Sequence, residues 1–391
     1  MTVSNSQLRL VVWHPFFLGG GAEAVTLWML QALADEYDVT LLTLFDIDLQ
    51  RLNAMYGTRL QAQALTVKTV IPAAWSGLGR WALANNTGLR AMMMHGSIRR
   101  LKTISQQYDG VISGYNGVDL GRPGLQYMHW VRVVEGGKLQ RNAPFRQLCH
   151  GISNFSMARL RQNVSLVNSA YTGQRVQQEY GIPSIVVYPP VVAKMPQRSW
   201  SQKQEAFLCS GRIVAAKMPH RAIRILQQVR RRGFDIKLYI TGGGGGVYGQ
   251  QYLGHIKQLV AAESDWIQLL EGLPYQEYLA LLAQCRYGIH YKPEPFGISI
   301  AEMVQAGMIP FVRSRGGQVE IVGADNGELM FDSESEAVEK IVAVLKDADQ
   351  QQRCLEALAR RKSLFTIENF QHQVRQVVAD YLAGNSLPPQ S

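Results

Sequence analysis

The chain has 391 residues, 47% of them apolar, and a formal net charge of +10; it is too long for one typical domain and apolar enough for two cores. No stretch reaches the roughly 18–20 uninterrupted apolar residues of a membrane-spanning helix, and the polar Met1–Arg9 before Leu10-Val11-Val12 is not built like a secretory leader. Cys149, Cys209, Cys285 and Cys354 stand far apart without a CxxC, against a zinc site or disulfide framework, so a reducing, cytoplasmic compartment is expected.

The charge is uneven. Up to Pro196 there are 18 Lys+Arg against 10 Asp+Glu, and beyond it 22 against 20. Such an excess favours phosphorylated ligands, an anionic membrane or nucleic acid, or is simply a solvated face. Leu8 to Trp13 reads as a buried strand with His14 just after it. Gly19-Gly20-Gly21 leads into an apolar-periodic helix from about Ala22 to Tyr37, and Asp38 to Phe45 is the next strand. Gly19 to Ala24 fits G-x-G-x-x-A after a strand, and Asp46 ends the strand that follows, as in a dinucleotide fingerprint. Asp46-Ile47-Asp48 spells a D-x-D that can hold a divalent cation; here it reads as a loop start, and no metal is expected.

Residues 80–102 carry Arg80, Arg90, Arg99, Arg100 and Lys102 and no acid, among Trp81, Leu89, Met92, Met93, Met94, Ile98 and Leu101. A basic amphipathic segment of this kind can lie on an anionic bilayer; equally, its methionine face can pack on the core. Further strands are expected at Gly110 to Ser113, Gly124 to Trp130 and Ser165 to Asn168, giving a parallel sheet with helices on both faces. Val186 to Pro196, with Tyr188-Pro189-Pro190, reads as an interdomain linker. A second alternating unit follows. Its strands are expected at Ala206 to Ser210, Lys237 to Thr241, Trp266 to Leu270, Tyr287 to His290 and Ile309 to Val312, with a helix over Ala222 to Arg231 and a glycine run Gly242 to Gly246. Two α/β sheets in series imply a ligand cleft between them, with sites at the carboxyl ends of strands.

Two features carry chemistry. Ser210-Gly211-Arg212 with Lys217 follows a strand. The glycine allows a tight turn, and two fixed cations near one loop can clamp a diphosphate and stabilise a leaving phosphate as a metal would; the alternative is two solvated cations. Glu294-Pro-Phe-Gly-Ile-Ser-Ile-Ala-Glu302 follows another strand. Gly297 lets backbone approach a ligand, and a helix starting near Ile298 aims the amides of Ile298 and Ser299 at an anion. Glu294 and Glu302 then suit hydroxyls on either side of a diphosphate, though alone they would read as surface glutamates on a capped helix.

The ordered set Gly211-Arg212…Lys217, glycine-rich loop, Glu294-x7-Glu302 and Gly316-Gly317-x2-Glu320 resembles glycosyltransferase family 4, a retaining GT-B family. Tyr188-Pro189-Pro190-Val191 and Asn168-Ser169-Ala170-Tyr171-Thr172 look like it too. The resemblance covers most of the chain, strongly in the second half and weakly between Asp46 and Asp109. It implies an α/β GT-B fold of two Rossmann-like domains facing each other across a cleft. The first, 1–196, would lie on the acceptor side and the second, 197–365, would bind the nucleotide sugar, with a helix in 366–391 returning to the first. Arg212 and Lys217, next to Gly211, would hold the donor diphosphate, Glu294 the donor sugar and Glu302 the ribose hydroxyls. Phe296, Gly297, Ile298 and Ser299 would contact sugar and phosphate, and Gly272-Leu273 would lie near the base. Gly19, Gly20 and Gly21 would approach the diphosphate or acceptor from the first domain. His129, after Leu125 to Met128, would stand beside the donor sugar; otherwise it is an ordinary histidine packed between Tyr127 and Trp130. His14 is a weaker candidate for the same side of the site. Lys217 is followed by Met218-Pro219-His220, where many relatives have Gly or Asn, so the loop's course departs from the pattern.

The implied reaction is retaining transfer of a sugar from a nucleoside-diphosphate sugar to a glycan or lipid-linked glycan, with no protein base, no metal and no separate cofactor. GDP-mannose is the first donor expected, because Glu294-Pro-Phe-Gly-Ile-Ser with Ala306-Gly307-Met308-Ile309-Pro310 is similar to mannosyltransferases extending lipid-linked oligosaccharides. No nucleic-acid partner is expected. A GT-B epimerase, an NAD-dependent oxidoreductase and a non-catalytic nucleotide-sugar binder are the competing readings.

Overall fold

A computed structural model describes residues 7–131, 143–191, 195–196, 198–243 and 247–385. The chain divides into two compact units, one of Met1–Pro190 with Glu368–Ser391 and one of Val191–Ile367.

The first unit holds strands β1 (Arg9–Trp13), β2 (Asp38–Thr43), β3 (Leu65–Thr69), β4 (Gly110–Ser113), β5 (Leu125–Met128), β6 (Val164–Val167) and β7 (Ile185–Val186). They form one sheet in the order β3-β2-β1-β4-β5-β6-β7, every described pair parallel. β1 explains the architecture: Leu10, Val11, Val12 and Trp13 are all fully buried, so helices must cover both faces of the sheet. The apolar runs predicted the central strands; the short or half-exposed edges β3 and β7 lacked that signal.

Four helices of this unit matter below: α1 (Gly21–Leu33), α2 (Leu49–Tyr56), α3 (Ser76–Asn85) and α4 (Thr87–Ser105). Asp48 caps α2 by accepting from the Arg51 amide at 2.9 Å, and Gly57 ends it in the left-handed region, φ 73°. The D-x-D pair thus supplies a helix cap. The basic segment 80–102 is two helices rather than one. Asn86 interrupts it and caps α4, accepting from the amides of Gly88 and Leu89. Much of the methionine side of α4 is turned inward, with Met94, Ile98 and Leu101 buried and Met92 and Met93 half-buried, while Leu89 is 41% exposed. The helix Ile367–Leu382 packs in the first unit: Arg375 Nε donates to the Ala32 carbonyl at 2.8 Å, and Phe370 meets the Tyr127 ring edge-on.

The second unit is built on β8 (Gln204–Ser210), β9 (Lys237–Gly242), β10 (Ile267–Glu271), β11 (Cys285–His290), β12 (Ile309–Arg313) and β13 (Met330–Phe331), in the order β10-β9-β8-β11-β12-β13. All pairs are parallel. β8 and β11 lie side by side at the centre, so residues just past Ser210 and just past His290 emerge at the same sheet end. That adjacency brings the two sequence motifs together. Gly244 to Gly246 of the glycine run lie outside the described residues.

The four cysteines are unpaired. Among the described residues, no helix is long and apolar enough to cross a membrane.

Candidate functional site

At the carboxyl ends of β8 and β9 the backbones nearly touch. Gly211 (φ 140°) and Gly242 (φ 153°) both adopt conformations that disfavour side chains. A Cβ on Gly242 would run into the Gly211 carbonyl, so this floor is made of glycine of necessity. Arg212 leaves it into solvent, exposed and with no side-chain hydrogen bond or ion pair among the described residues. Lys217 follows in a short turn that ends at Met218, whose φ of 55° is left-handed. That geometry explains the departure at this position, since Gly or Asn would adopt it with less strain. Pro219 then opens the helix Pro219–Arg231 at its first position, where a missing amide costs nothing. Ser210, Gly211, Arg212, Lys217, His290 and Tyr291 line a common crevice.

Glu294, four residues past the end of β11, meets two residues of this crevice, Lys217 and His290. Its Oε1 accepts from Lys217 Nζ at 2.6 Å and lies 3.1 Å from His290 Nε2, while Oε2 takes no hydrogen bond among the described residues. Burial pushes the Glu294 carboxyl up, but the hydrogen bonds and charges of His290 and Lys217 outweigh it, and the group titrates at about 2. It is therefore a fixed anion at neutral pH. His290 was not singled out from the sequence; its position at a strand end, four residues before Glu294, was the available signal.

The loop bearing Glu294 is held from behind. Gly317 N donates to the Glu294 carbonyl at 2.8 Å, and buried Gln318 accepts from the Glu294 amide at 2.6 Å. Gly316 (φ 95°) and Gly317 press directly on this backbone. A Cβ on Gly316 would stand 2.6 Å from the Glu294 carbonyl oxygen, and one on Gly317 would collide with the Pro295 carbonyl. The Gly-Gly pair is thus a backing plate for the loop. Gly297, left-handed at φ 108°, then caps the helix Ile298–Gln305, whose first amides, Ile298 and Ser299, have no carbonyl partner within the helix. The Phe296 side chain does not face the crevice; it is 2% exposed and packs edge-on against Phe365 at 5.6 Å. Only its backbone can serve a ligand.

Glu302, one turn into that helix, joins the same strand end by a relay. Ser210 Oγ donates to Tyr278 Oη at 3.1 Å and Tyr278 donates to Glu302 Oε2 at 2.7 Å. Burial raises the Glu302 carboxyl to about 7, with the Tyr278 hydrogen bond pulling the other way. Gly272 (φ 62°) turns the chain after β10, and Leu273 packs half-buried beside Tyr275 and Tyr278. Arg212, Lys217, Glu294, Glu302, Gly272 and Leu273 therefore all belong to one end of one sheet.

The first unit carries its own group. His129 follows β5, half-buried, and its Nε2 donates to the Gly114 carbonyl at 2.9 Å. His14 follows β1, fully buried, with Nδ1 2.8 Å from Thr26 Oγ1 and its ring against Phe17 and Tyr115. Burial lowers His129 to about 4 and, with the neighbouring His129, lowers His14 to about 3, so both rings are neutral. His14 Nε2 has no hydrogen-bond partner among the described residues. The Gly19–Gly21 loop is occupied by its own chain: Glu23, 6% exposed, accepts from the Leu18 and Gly19 amides at 2.7 and 2.6 Å, and Tyr56 Oη accepts from Gly20. A dinucleotide pyrophosphate needs those amides, which argues against the fingerprint reading. Beside the loop is a pocket of about 460 Å³ lined by Phe16, Phe17, Asp46, Arg51, Met55 and Arg80.

Residues 193–361 match the family described as Glycosyl transferases group 1. A curated relative, an uncharacterised glycosyltransferase YqgM of Bacillus subtilis (strain 168), is 24% identical over 206 residues. That alignment takes in 51% of this chain and 53% of the relative, about half the length of each. Among solved structures, Anabaena Alr3699/HepE in complex with UDP and glucose has a TM-score of 0.68 at 15% identity, covering 95% of this chain and 100% of that one. Sucrose-phosphate synthase from Thermosynechococcus elongatus has a TM-score of 0.70 at 13% identity, covering 97% and 100%. The chain thus has the two-sheet fold of the GT-B glycosyltransferases, and its match to the glycosyl transferases group 1 family lies in the second unit.

Proposed function

We propose that the protein is a retaining glycosyltransferase that moves a sugar from a nucleoside-diphosphate sugar to a glycan or lipid-linked glycan, working in the cytoplasm at the inner face of a membrane. The observation that carries this reading is the convergence of Arg212, Lys217 and Glu294 at the ends of β8 and β11, with Lys217 and Glu294 2.6 Å apart. Arg212 and Lys217 grip the diphosphate; its phosphates displace Lys217 from part of its contact with Glu294, whose open Oε2 takes a sugar hydroxyl. Amides at Gly297 to Ser299 add donors to the same anion. Glu302 accepts from the ribose, and Gly272-Leu273 lies toward the base. In the chemical step the bond from the anomeric carbon to the phosphate oxygen breaks and the bond to the acceptor oxygen forms. The acceptor proton passes to the departing phosphate, whose negative charge the two cations stabilise. No metal, separate cofactor or protein base is invoked. The aromatic-walled pocket of the first unit is the candidate acceptor site.

GDP-mannose, from the sequence resemblance, and UDP-glucose, which a solved HepE structure contains, are the first donors to test. A thermal-shift panel of GDP-, UDP- and ADP-sugars tests the reading, because a bound donor stabilises the native state by mass action. One nucleotide sugar is expected to raise the melting temperature; a flat response across the panel would remove the donor assignment.

Glu302 sets a pH dependence. With its carboxyl at about 7 in the free chain, it is largely protonated below that pH, whereas ribose hydroxyls donating to it favour the carboxylate. Donor affinity is expected to rise about tenfold from about pH 6 to about pH 8, and Glu302→Gln is expected to flatten that profile in a calorimetric titration.

A further inference from the structure

The exposed apolar surface of the first unit is concentrated just ahead of α4. Trp75, Leu78 and Trp81 are 63%, 60% and 61% exposed. Their spacing of three residues, at the end of the short 3₁₀ turn Ala73–Trp75 and along α3, places them on one side of the helix. The helix is seated firmly. Gly79 lies so close to Phe45 that a Cβ would stand 2.5 Å from its ring, and the Arg80 guanidinium lies 5.1 Å over that ring and donates to the Asp46 carbonyl at 2.6 Å. The outward tryptophans are therefore held at the surface by a packed helix rather than carried on a loose end.

The stretch of sequence that carries this helix is one-sided in charge. Between Asp48 and Asp109 there are eight Lys+Arg and no Asp or Glu, which equals the whole excess of the first half of the chain. Arg51, Arg59, Arg80, Arg99 and Arg100 of this stretch are exposed. Tryptophan favours the boundary between water and hydrocarbon, and cations near it favour anionic headgroups. Three side chains along one short helix suit shallow insertion better than a protein interface, which needs a much broader contact.

We propose that α3 docks the first unit onto an anionic bilayer, with Trp75, Leu78 and Trp81 entering the headgroup layer and the acid-free stretch 49–108 supplying the attraction. Arg80 also lines the 460 Å³ pocket, so that pocket adjoins the docking face. This deepens the peripheral placement proposed above by naming its surface; the test reads vesicle binding rather than transfer, so either can fail alone.

The test is co-sedimentation of the full chain with phosphatidylglycerol–phosphatidylcholine vesicles and with phosphatidylcholine vesicles, at low and high salt. The wild type is expected to bind the anionic vesicles at low salt and to leave the neutral ones. Trp75→Ser/Trp81→Ser, at exposed positions, is expected to keep its melting temperature and lose at least about tenfold in partitioning. Trp75→Phe/Trp81→Phe keeps the apolar contact, so it should still bind while losing most quenching of indole emission by brominated acyl chains. Failure of the wild type to bind anionic vesicles at low salt would overturn the proposal. So would serine-variant binding equal to wild type, or a wild-type dimer that the serine variant dissolves without any vesicle binding, which would make the patch a contact between copies.

Discussion

Glu294→Ala is expected to abolish measurable sugar transfer and to lower stability by about 3 kcal/mol, because it breaks a largely buried ion pair from one side. Lys217, with 22% of its side chain exposed, would lose a partner at 2.6 Å, and His290 would lose the acceptor for its ring. The chemical loss, of about a thousandfold or more, comes from both missing contacts: the carboxylate that takes a sugar hydroxyl, and the anchor that keeps Lys217 aimed into the crevice. Glu294→Gln separates them, since it keeps the volume and an acceptor oxygen but not the charge. The two variants also differ from wild type in acid. The Glu294 carboxyl lies at about 2 when folded against an ordinary 4.5, so its contribution is present above about pH 4.5 and is lost as the pH falls toward 2. Denaturant melts at neutral and acid pH should show wild type losing that increment and Glu294→Gln lacking it throughout. Transfer by Glu294→Ala at wild-type rate would mean that the carboxylate serves only the fold.

Gly317→Ala is expected to be nearly as damaging, although only a single methyl group is added. Its backbone, φ −66°, would accept alanine. The obstacle is the space in front of it: the new Cβ would overlap the Pro295 carbonyl and come within 2.8 Å of Phe296 Cα. Backbone cannot yield as a flexible side chain does, so the loop carrying Glu294 must move. Overpacking of this kind costs about 2–3 kcal/mol, and a displacement near 1 Å of a positioned group can cost about a hundredfold in rate. Gly327→Ala is the control, since nothing lies within 4 Å of its Cβ position; it should melt and turn over like wild type. If Gly317→Ala behaves like that control, the Gly-Gly pair does not set the Glu294 geometry.

Much of this site was legible because it is organised by strand ends. Runs such as Leu8 to Trp13 and Tyr287 to His290 announce buried strands, and whatever follows a strand of a parallel sheet emerges at the same edge of that sheet. Strand ends marked Arg212 and Glu294 each as a candidate, and the resemblance to glycosyltransferase family 4 grouped them. The pairing of Lys217 with Glu294 could not be read there, because 77 residues separate them and only the adjacency of β8 and β11 joins them. The purpose of Gly316-Gly317 was hidden for the same reason: its obstacle is the backbone of residues 294–296, not its own neighbours. The occupation of the Gly19 loop by Glu23 was hidden because the glycine pattern says nothing of where the Glu23 side chain turns. The break at Asn86 had a visible signal, a capping side chain before Thr87, but the even run of cations across 80–102 concealed it. The basic segment accordingly looked like one amphipathic helix, whereas Trp81 is exposed on α3 and Met94, Ile98 and Leu101 are buried on α4.

The measurement that bears most directly on the central claim is a calorimetric titration of the best nucleotide sugar into wild type and Arg212→Ala. Arg212 is exposed and tied to no other described side chain, so its removal leaves the fold unchanged and takes away one cation of the diphosphate grip. The account predicts saturable binding to wild type and a loss of about a hundredfold or more in Arg212→Ala at an unchanged melting temperature. Equal affinity for both proteins would contradict it.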